Sequence, residues 1–188
     1  MIASSDTGPA TAARIAPLPR SAWDAEQRRL LEGAPPLALL ATLVRHPILL
    51  RSWLPLAKTF LSAGALPDRD RELLVLRTAW NCRSDYEWGH HERLAAKAGL
   101  DREEVARVAQ GPEASGWEPF ERALLRAADQ LHARASIDQK TWDALAARYG
   151  EHELIEVPAV VGQYHALAFT ANVLAVALED GLSPLPAR

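Results

Sequence analysis

The chain has 188 residues, 48% of them hydrophobic, and 21 basic against 24 acidic side chains give a formal net charge of -3. That length suits one packed domain, and the charge balance offers no basic field for a nucleic-acid partner. The single cysteine excludes an intramolecular disulfide and, with no leader-like apolar segment, points to the cytoplasm.

In chain order, MIASSDTGPATAA and the next residue, 1–14, read as a disordered tail, and 15–188 as one helical domain. Apolar residues then recur at helical intervals, and no segment alternates like a strand, so the fold class is all-α. A first helix is expected near Ser21 to Leu31 and a second from Pro36 to about Arg45. After the break at His46-Pro47 a third carries ILLRSWLPLAKTFL, with Pro55 as a kink. Pro67-Asp68 opens a fourth, RDRELLVLRTAW, and SDYEWGHH opens a fifth that stops at Gly99. Asp101 with Glu104, Ser115 with Glu118, and Ser136 with Gln139 read as starts of the sixth, seventh and eighth, the seventh ending at Leu131 and the eighth at Gly150. The last covers His152 to Glu179 with a bend at Pro158; its apolar run is interrupted by Gln163, Tyr164, His165 and Asn172 and reads as a buried helix, not a membrane span.

SDYEWGHH admits two readings. Ser84 and Glu87 fit the capping box S-x-x-E, in which the glutamate reaches back to the serine amide, and that alone would explain Glu87. At about 100° per residue, however, Glu87 shares an apolar stripe with His91, Leu94 and Ala98, flanked by Trp88, while Asp85, Glu92, Arg93 and Lys97 take the other side. His90 lies on the border and can line a pocket or turn outward. In the preceding helix Glu72 aligns with Val75, Leu76 and Ala79, with Asp70 and Arg77 on the far side. Buried carboxylates need partners. Two consecutive helices joined by a short turn bring Glu72, Glu87 and His91 toward one spot, as a proton-transfer cluster or as a structural ion pair. The same three residues could in principle ligate a metal, with His90 less able to aim there; there is no H-x-x-x-H pair. Elsewhere, His46 and His152 read as structural or exposed, His132 as a helix-end cation, and His165 as a core histidine.

The string RELLVLRTAWNCRSDYEWGHHERLAAKAGL resembles the central helical hairpin of the carboxymuconolactone decarboxylase and alkylhydroperoxidase D-like superfamily, and likeness to its longer members extends over most of residues 20–181. The resemblance implies a single-domain helical bundle built around that hairpin. It also implies a homo-oligomer, trimer or hexamer, acting on a small molecule without metal or organic cofactor. The peroxidase branch carries a glutamate, a C-x-x-C pair and a histidine four residues after it. Here Glu72 and His91 match the outer positions, Ser84 and Glu87 stand where the cysteines would be, and Tyr86 replaces a further histidine. Cys82 lies two residues before the first thiol position and has no resolving partner, so peroxidase chemistry of that kind is disfavoured. The decarboxylase branch has a glutamate and a histidine spaced as Glu87 and His91 are, which implies acid–base work on a small carboxylate or lactone. The expected catalytic residues are Glu72, Glu87 and His91; Tyr86, His90, Trp88 and Trp80 are expected to bind substrate. The rival is a non-catalytic helical binding module that keeps the fold.

Overall fold

A computed structural model describes residues 12–187. Most of the expected tail, residues 1–11, lies outside the described residues. Arg14 already belongs to the folded body, its amide donating to Leu174 O at 2.9 Å.

The described residues are all-helical, with nine α-helices: α1 Ala25–Leu30, α2 Ala38–Leu43, α3 Pro47–Ser62, α4 Asp68–Asn81, α5 Asp85–Lys97, α6 Arg102–Gln110, α7 Pro119–Arg134, α8 Gln139–Ala146 and α9 Glu151–Leu174. The first, seventh and eighth start differently from expectation. Ser21 sits in a 3-10 turn, and α1 is opened by a reciprocal Asp24–Gln27 box. Glu118 with Glu121 opens α7 in place of Ser115, because Pro119 fits the first helical position. Asp138 caps α8 in place of Ser136, accepting from the Thr141 amide at 2.8 Å. A carboxylate is the stronger acceptor and complements the helix dipole. Helix α9 runs through Pro158 and stops at Leu174, short of Glu179.

Helix α4 occupies the centre, packing on α5, α7 and α9. Its four consecutive residues Leu73, Leu74, Val75 and Leu76 are all fully buried, so it has no water-facing stripe there. The expected far side is therefore a second interior. Asp70 is buried and accepts from Tyr149 Oη at 2.8 Å, while Arg77 pairs with Asp129, its Nε 2.6 Å from Oδ1. A smaller cluster joins α1–α3 to Tyr86 and Ala171.

The turn between α4 and α5 places the residues of interest. Arg83 adopts φ +53°, its amide bonds Trp80 O at 3.2 Å, and the Ser84 amide bonds Ala79 O at 2.9 Å. This is a Schellman closure of α4 with arginine where glycine is usual. The residue that completes it, Ser84, also caps α5, its Oγ accepting from the Glu87 amide at 3.4 Å. One fully buried serine thus ends one helix and starts the next. On α5, Gly89 is required by close approach. A Cβ there would lie 2.8 Å from Ser183 O, so the C-terminal segment after α9 can cross the helix only over a glycine. That segment is fastened on either side, Asp85 accepting from the Leu185 amide at 3.1 Å and Arg93 donating to Gly181 O at 2.8 Å.

Because exposed Arg83 holds a left-handed conformation that disfavours side chains, Arg83→Gly is expected to stabilise the fold by up to about 1 kcal/mol. Urea denaturation of the two proteins checks it; a lower midpoint for the glycine variant would refute the strain assignment.

Candidate functional site

Glu72 comes from the middle of α4 and is completely buried, while Glu87 and His91, one turn apart at the start of α5, are 4% and 5% exposed. All three meet. Glu72 Oε2 lies 2.7 Å from His91 Nδ1, and its Oε1 accepts from Arg71 Nε at 3.0 Å and Nη2 at 2.9 Å. An ionised carboxylate only accepts, so His91 Nδ1 carries a hydrogen and Nε2 is left to face Glu87 Oε2 at 3.9 Å. The imidazole is steadied by the edge of Tyr164, ring centroids 4.7 Å apart at 87°.

The capping-box reading is half right. Ser84 does cap the helix, but its amide is committed to Ala79, so the Glu87 carboxylate is not needed there and turns inward. Burial pushes Glu87 up to about 7, only partly opposed by the charge of His91. Burial would also raise Glu72, yet His91 and Arg71 outweigh it and hold the carboxyl below its usual range. For His91 burial acts downward, and the Glu72 carboxylate against Nδ1 reverses the net direction to upward. One carboxyl is therefore locked as an anion while the other is poised near neutrality, with an imidazole between them. Such a set can exchange one proton without leaving an isolated buried charge.

The expected substrate-binding residues are placed elsewhere. Tyr86 Oη donates to Glu179 Oε1 at 3.1 Å and accepts from the Leu39 amide at 3.2 Å. His90 Nε2 lies 2.6 Å from Glu179 Oε2, and the Tyr86 and His90 rings stack 4.6 Å apart. They form a second station centred on Glu179, which also caps α2 at the Ala38 amide, 2.8 Å away. Burial acts to raise Glu179, but that amide and His90 outweigh it and hold it low. Trp88 is buried in the main core against the half-buried Trp80, centroids 6.1 Å apart. Two surface clefts, of about 330 and 250 Å³, lie by Trp23 and Glu179 and by Gly89 and Arg93; neither is lined by Glu72, Glu87 or His91. The half-buried Cys82 lies close enough to Glu87 to feel its charge, and burial together with that charge pushes its thiol up to about 11.

The carboxymuconolactone decarboxylase family model matches residues 47–130, the span from α3 to the body of α7 that contains this hairpin. Over that span the chain is similar to the carboxymuconolactone decarboxylase family, and its fold is similar to that of alkylhydroperoxidase D-like proteins. Solved structures share the helical fold at low identity. The debrominase Bmp8 is 20% identical, with a TM-score of 0.72 over 88% of this chain and 92% of that one. An alkylhydroperoxidase-core, peroxidase-related protein from Ralstonia eutropha is 19% identical, with a TM-score of 0.74 over 88% and 93%. An Agrobacterium tumefaciens protein described as a putative antioxidant defence protein is 17% identical, with a TM-score of 0.67 over 73% and 94%. No curated protein matches the chain. Within the matched span, Glu87 is the residue of the trio whose ionisation burial perturbs upward to about 7.

A folded-state value above the unfolded one means that the native state binds more protons between the two values, so stability falls as pH rises. For Glu87 the window is about pH 4.5 to about 7. Above about 6.5 His91, also raised, acts in the same direction; Glu72, lowered, acts only below about 4.5. Glu87→Gln is therefore expected to flatten the decline between pH 5 and 6.5 by about 1–2 kcal/mol. Denaturant melts across that range measure it, and an unchanged slope would place the Glu87 carboxyl in contact with water.

Proposed function

We propose that the protein is a cofactor-independent enzyme performing acid–base chemistry on a small carboxylate or lactone, in the manner of a decarboxylase. Glu87 and His91 are its proton-transfer pair, and Glu72 is the positioning residue that fixes the imidazole. The observation that carries this reading is the inward Glu87, held near neutrality beside the free nitrogen of His91. General acid–base groups work best with a value near the working pH, and enzymes raise glutamates by burial to reach it. In one direction neutral Glu87 gives its proton to the developing carbanion; His91, as an imidazolium with Nδ1–H anchored on Glu72, then passes its Nε2 proton to the Glu87 carboxylate and takes one back from solvent. Tyr86 and His90 suit the recognition of a substrate carboxylate, which would compete with Glu179 for the same two donors.

A thiol peroxidase reading fares worse, because the one thiol is pushed away from the thiolate form and has no second cysteine. The closed resting site makes entry to Glu87 dependent on movement of the side chains around it. A reducing, cytoplasmic setting agrees with the single cysteine, and no helix among the described residues is long and apolar enough to cross a membrane.

Screening small lactones, keto acids and hydroperoxides against the wild type should find turnover in the first two classes. Glu87→Gln and His91→Ala should each lower kcat by roughly 100-fold to 10,000-fold while the circular dichroism spectrum is kept. Turnover of a carboxylate or lactone undiminished by both changes would overturn the assignment, as would peroxide reduction in its place.

Assembly into a homo-oligomer belongs to the same proposal. Ile155, Phe169 and Val173 fall within about 40° of one another around α9, 69%, 55% and 59% exposed, with Gly162 between them on the same strip. A glycine within an exposed apolar strip suits close helix packing. Phe169→Glu is expected to reduce the particle mass seen by light scattering to a lower multiple of 20.6 kDa; a wild type already monomeric at micromolar concentration would refute the interface.

A further inference from the structure

Among the described residues, outside the Glu72–His91–Glu87 cluster, a further group of ligand-type side chains converges from three helices. Cys82 ends α4, His132 lies near the end of α7, and His165 is in the second half of α9. One donor atom from each falls within 4.8 Å of the other two. His165 Nδ1 donates to Val161 O at 2.8 Å, which leaves its Nε2 as a lone pair, and that lone pair faces His132 Nδ1 at 2.9 Å. Phe169 lies edge-on to the His165 ring, centroids 5.5 Å apart. Asn172, one turn further along α9, donates to Cys82 O at 2.8 Å and ties the cysteine's backbone to the same helix.

We propose that Cys82, His132 and His165 form a binding site for a zinc-type divalent metal ion. The donor set, one thiolate and two imidazoles, is of the kind that selects Zn²⁺ among available ions, and three protein ligands leave a fourth tetrahedral position for water. Bond lengths of about 2.0–2.3 Å place tetrahedral ligand atoms about 3.3–3.7 Å apart. The two nitrogens therefore separate by a few tenths of an ångström on loading and the sulfur closes in, displacements within reach of side-chain rotation. His165 already has the outer-shell arrangement of a metal ligand, its second nitrogen bound to a backbone carbonyl that fixes tautomer and ring plane. On binding, the thiol of Cys82 loses its proton to solvent and the hydrogen on His132 Nδ1 moves to Nε2 of the exposed ring, so Zn²⁺ replaces one proton between the imidazoles and one on sulfur.

The site is separate from the acid–base trio, although Cys82 senses Glu87. It does not depend on the proposed reaction, and its test reads metal, not turnover. Purified full-length protein, stripped of metal and equilibrated with Zn²⁺, is expected to retain one ion per chain after gel filtration, and its melting temperature should rise with Zn²⁺ concentration. With Co²⁺ a thiolate-to-metal charge-transfer band should appear in the near ultraviolet. Because Cys82 is the only cysteine, that band reports this residue in the wild type without any variant. Cys82→Ser should abolish the band, and His165→Ala should weaken Zn²⁺ binding by at least about tenfold. Absence of the band in the wild type, or zinc retained equally by wild type, Cys82→Ser and His165→Ala, would overturn the proposal.

Discussion

A carboxylate with no access to water sits at the centre of this fold, and its neutralisation constrains everything around it. Glu72 lies on a helix that is buried on nearly every side, so its charge must be met from within. Arg71, the adjacent residue, supplies two donors to one oxygen, and His91 supplies one to the other. Removing either partner would leave one buried carboxylate oxygen without its donor, and removing both would leave the charge unpaired, a loss of several kcal/mol. The requirement fixes the angle between α4 and α5, because His91 reaches Glu72 only if the hairpin closes tightly. The tight closure is made by the Schellman turn at Arg83 and the dual use of Ser84. Glu87, carried inward on the same turn of helix, then meets the imidazole from the opposite side and has no fixed cation of its own. The perturbation of Glu87 is a by-product of satisfying Glu72.

How much of this is legible in the sequence depends on the range over which each signal acts. The helices are read from periodicity, and the convergence of Glu72, Glu87 and His91 from two adjacent helical faces, since both are local properties. Ser115 and Ser136 look like helix starts because a serine three residues before an acid or amide matches the box, whereas Pro119 suits the first helical position and Asp138 is the better acceptor. Asp70 and Arg77 look solvent-facing on a helical wheel, but α7 and the Tyr149 region cover that side, which no single-helix argument contains. Tyr86 and His90 lie beside the catalytic candidates on α5, yet their partner, Glu179, arrives from beyond α9, nearly half the chain away. The Cys82–His132–His165 cluster has no spacing signature. Its members come from three helices, and sequence reading assigned each a bland local role.

The two polar stations on α5 divide the work of one helix. Toward the core, Glu87 and His91 meet Glu72; along its outer edge, Tyr86 and His90 hold Glu179, and Gly89 between them lets the C-terminal segment lie close. The order Y-E-W-G-H-H alternates these assignments, which is why both aromatics and both histidines are accommodated in so few residues. Trp88 faces the main core and contributes packing.

The α4–α5 turn also bears on the order in which the molecule assembles. Glu72 and His91 are only 19 residues apart, so the hairpin and its internal ion pair close a short loop and can form early, at small entropic cost. Cys82, on that same turn, meets His165 only after α7 and the last helix have docked. The thiol is thus a natural clock for the final stage of folding. A thiol-reactive dye added during refolding should label it freely at first and slowly afterwards, whereas near-ultraviolet signals from the Trp80–Trp88 pair, both within the hairpin, should already be changing.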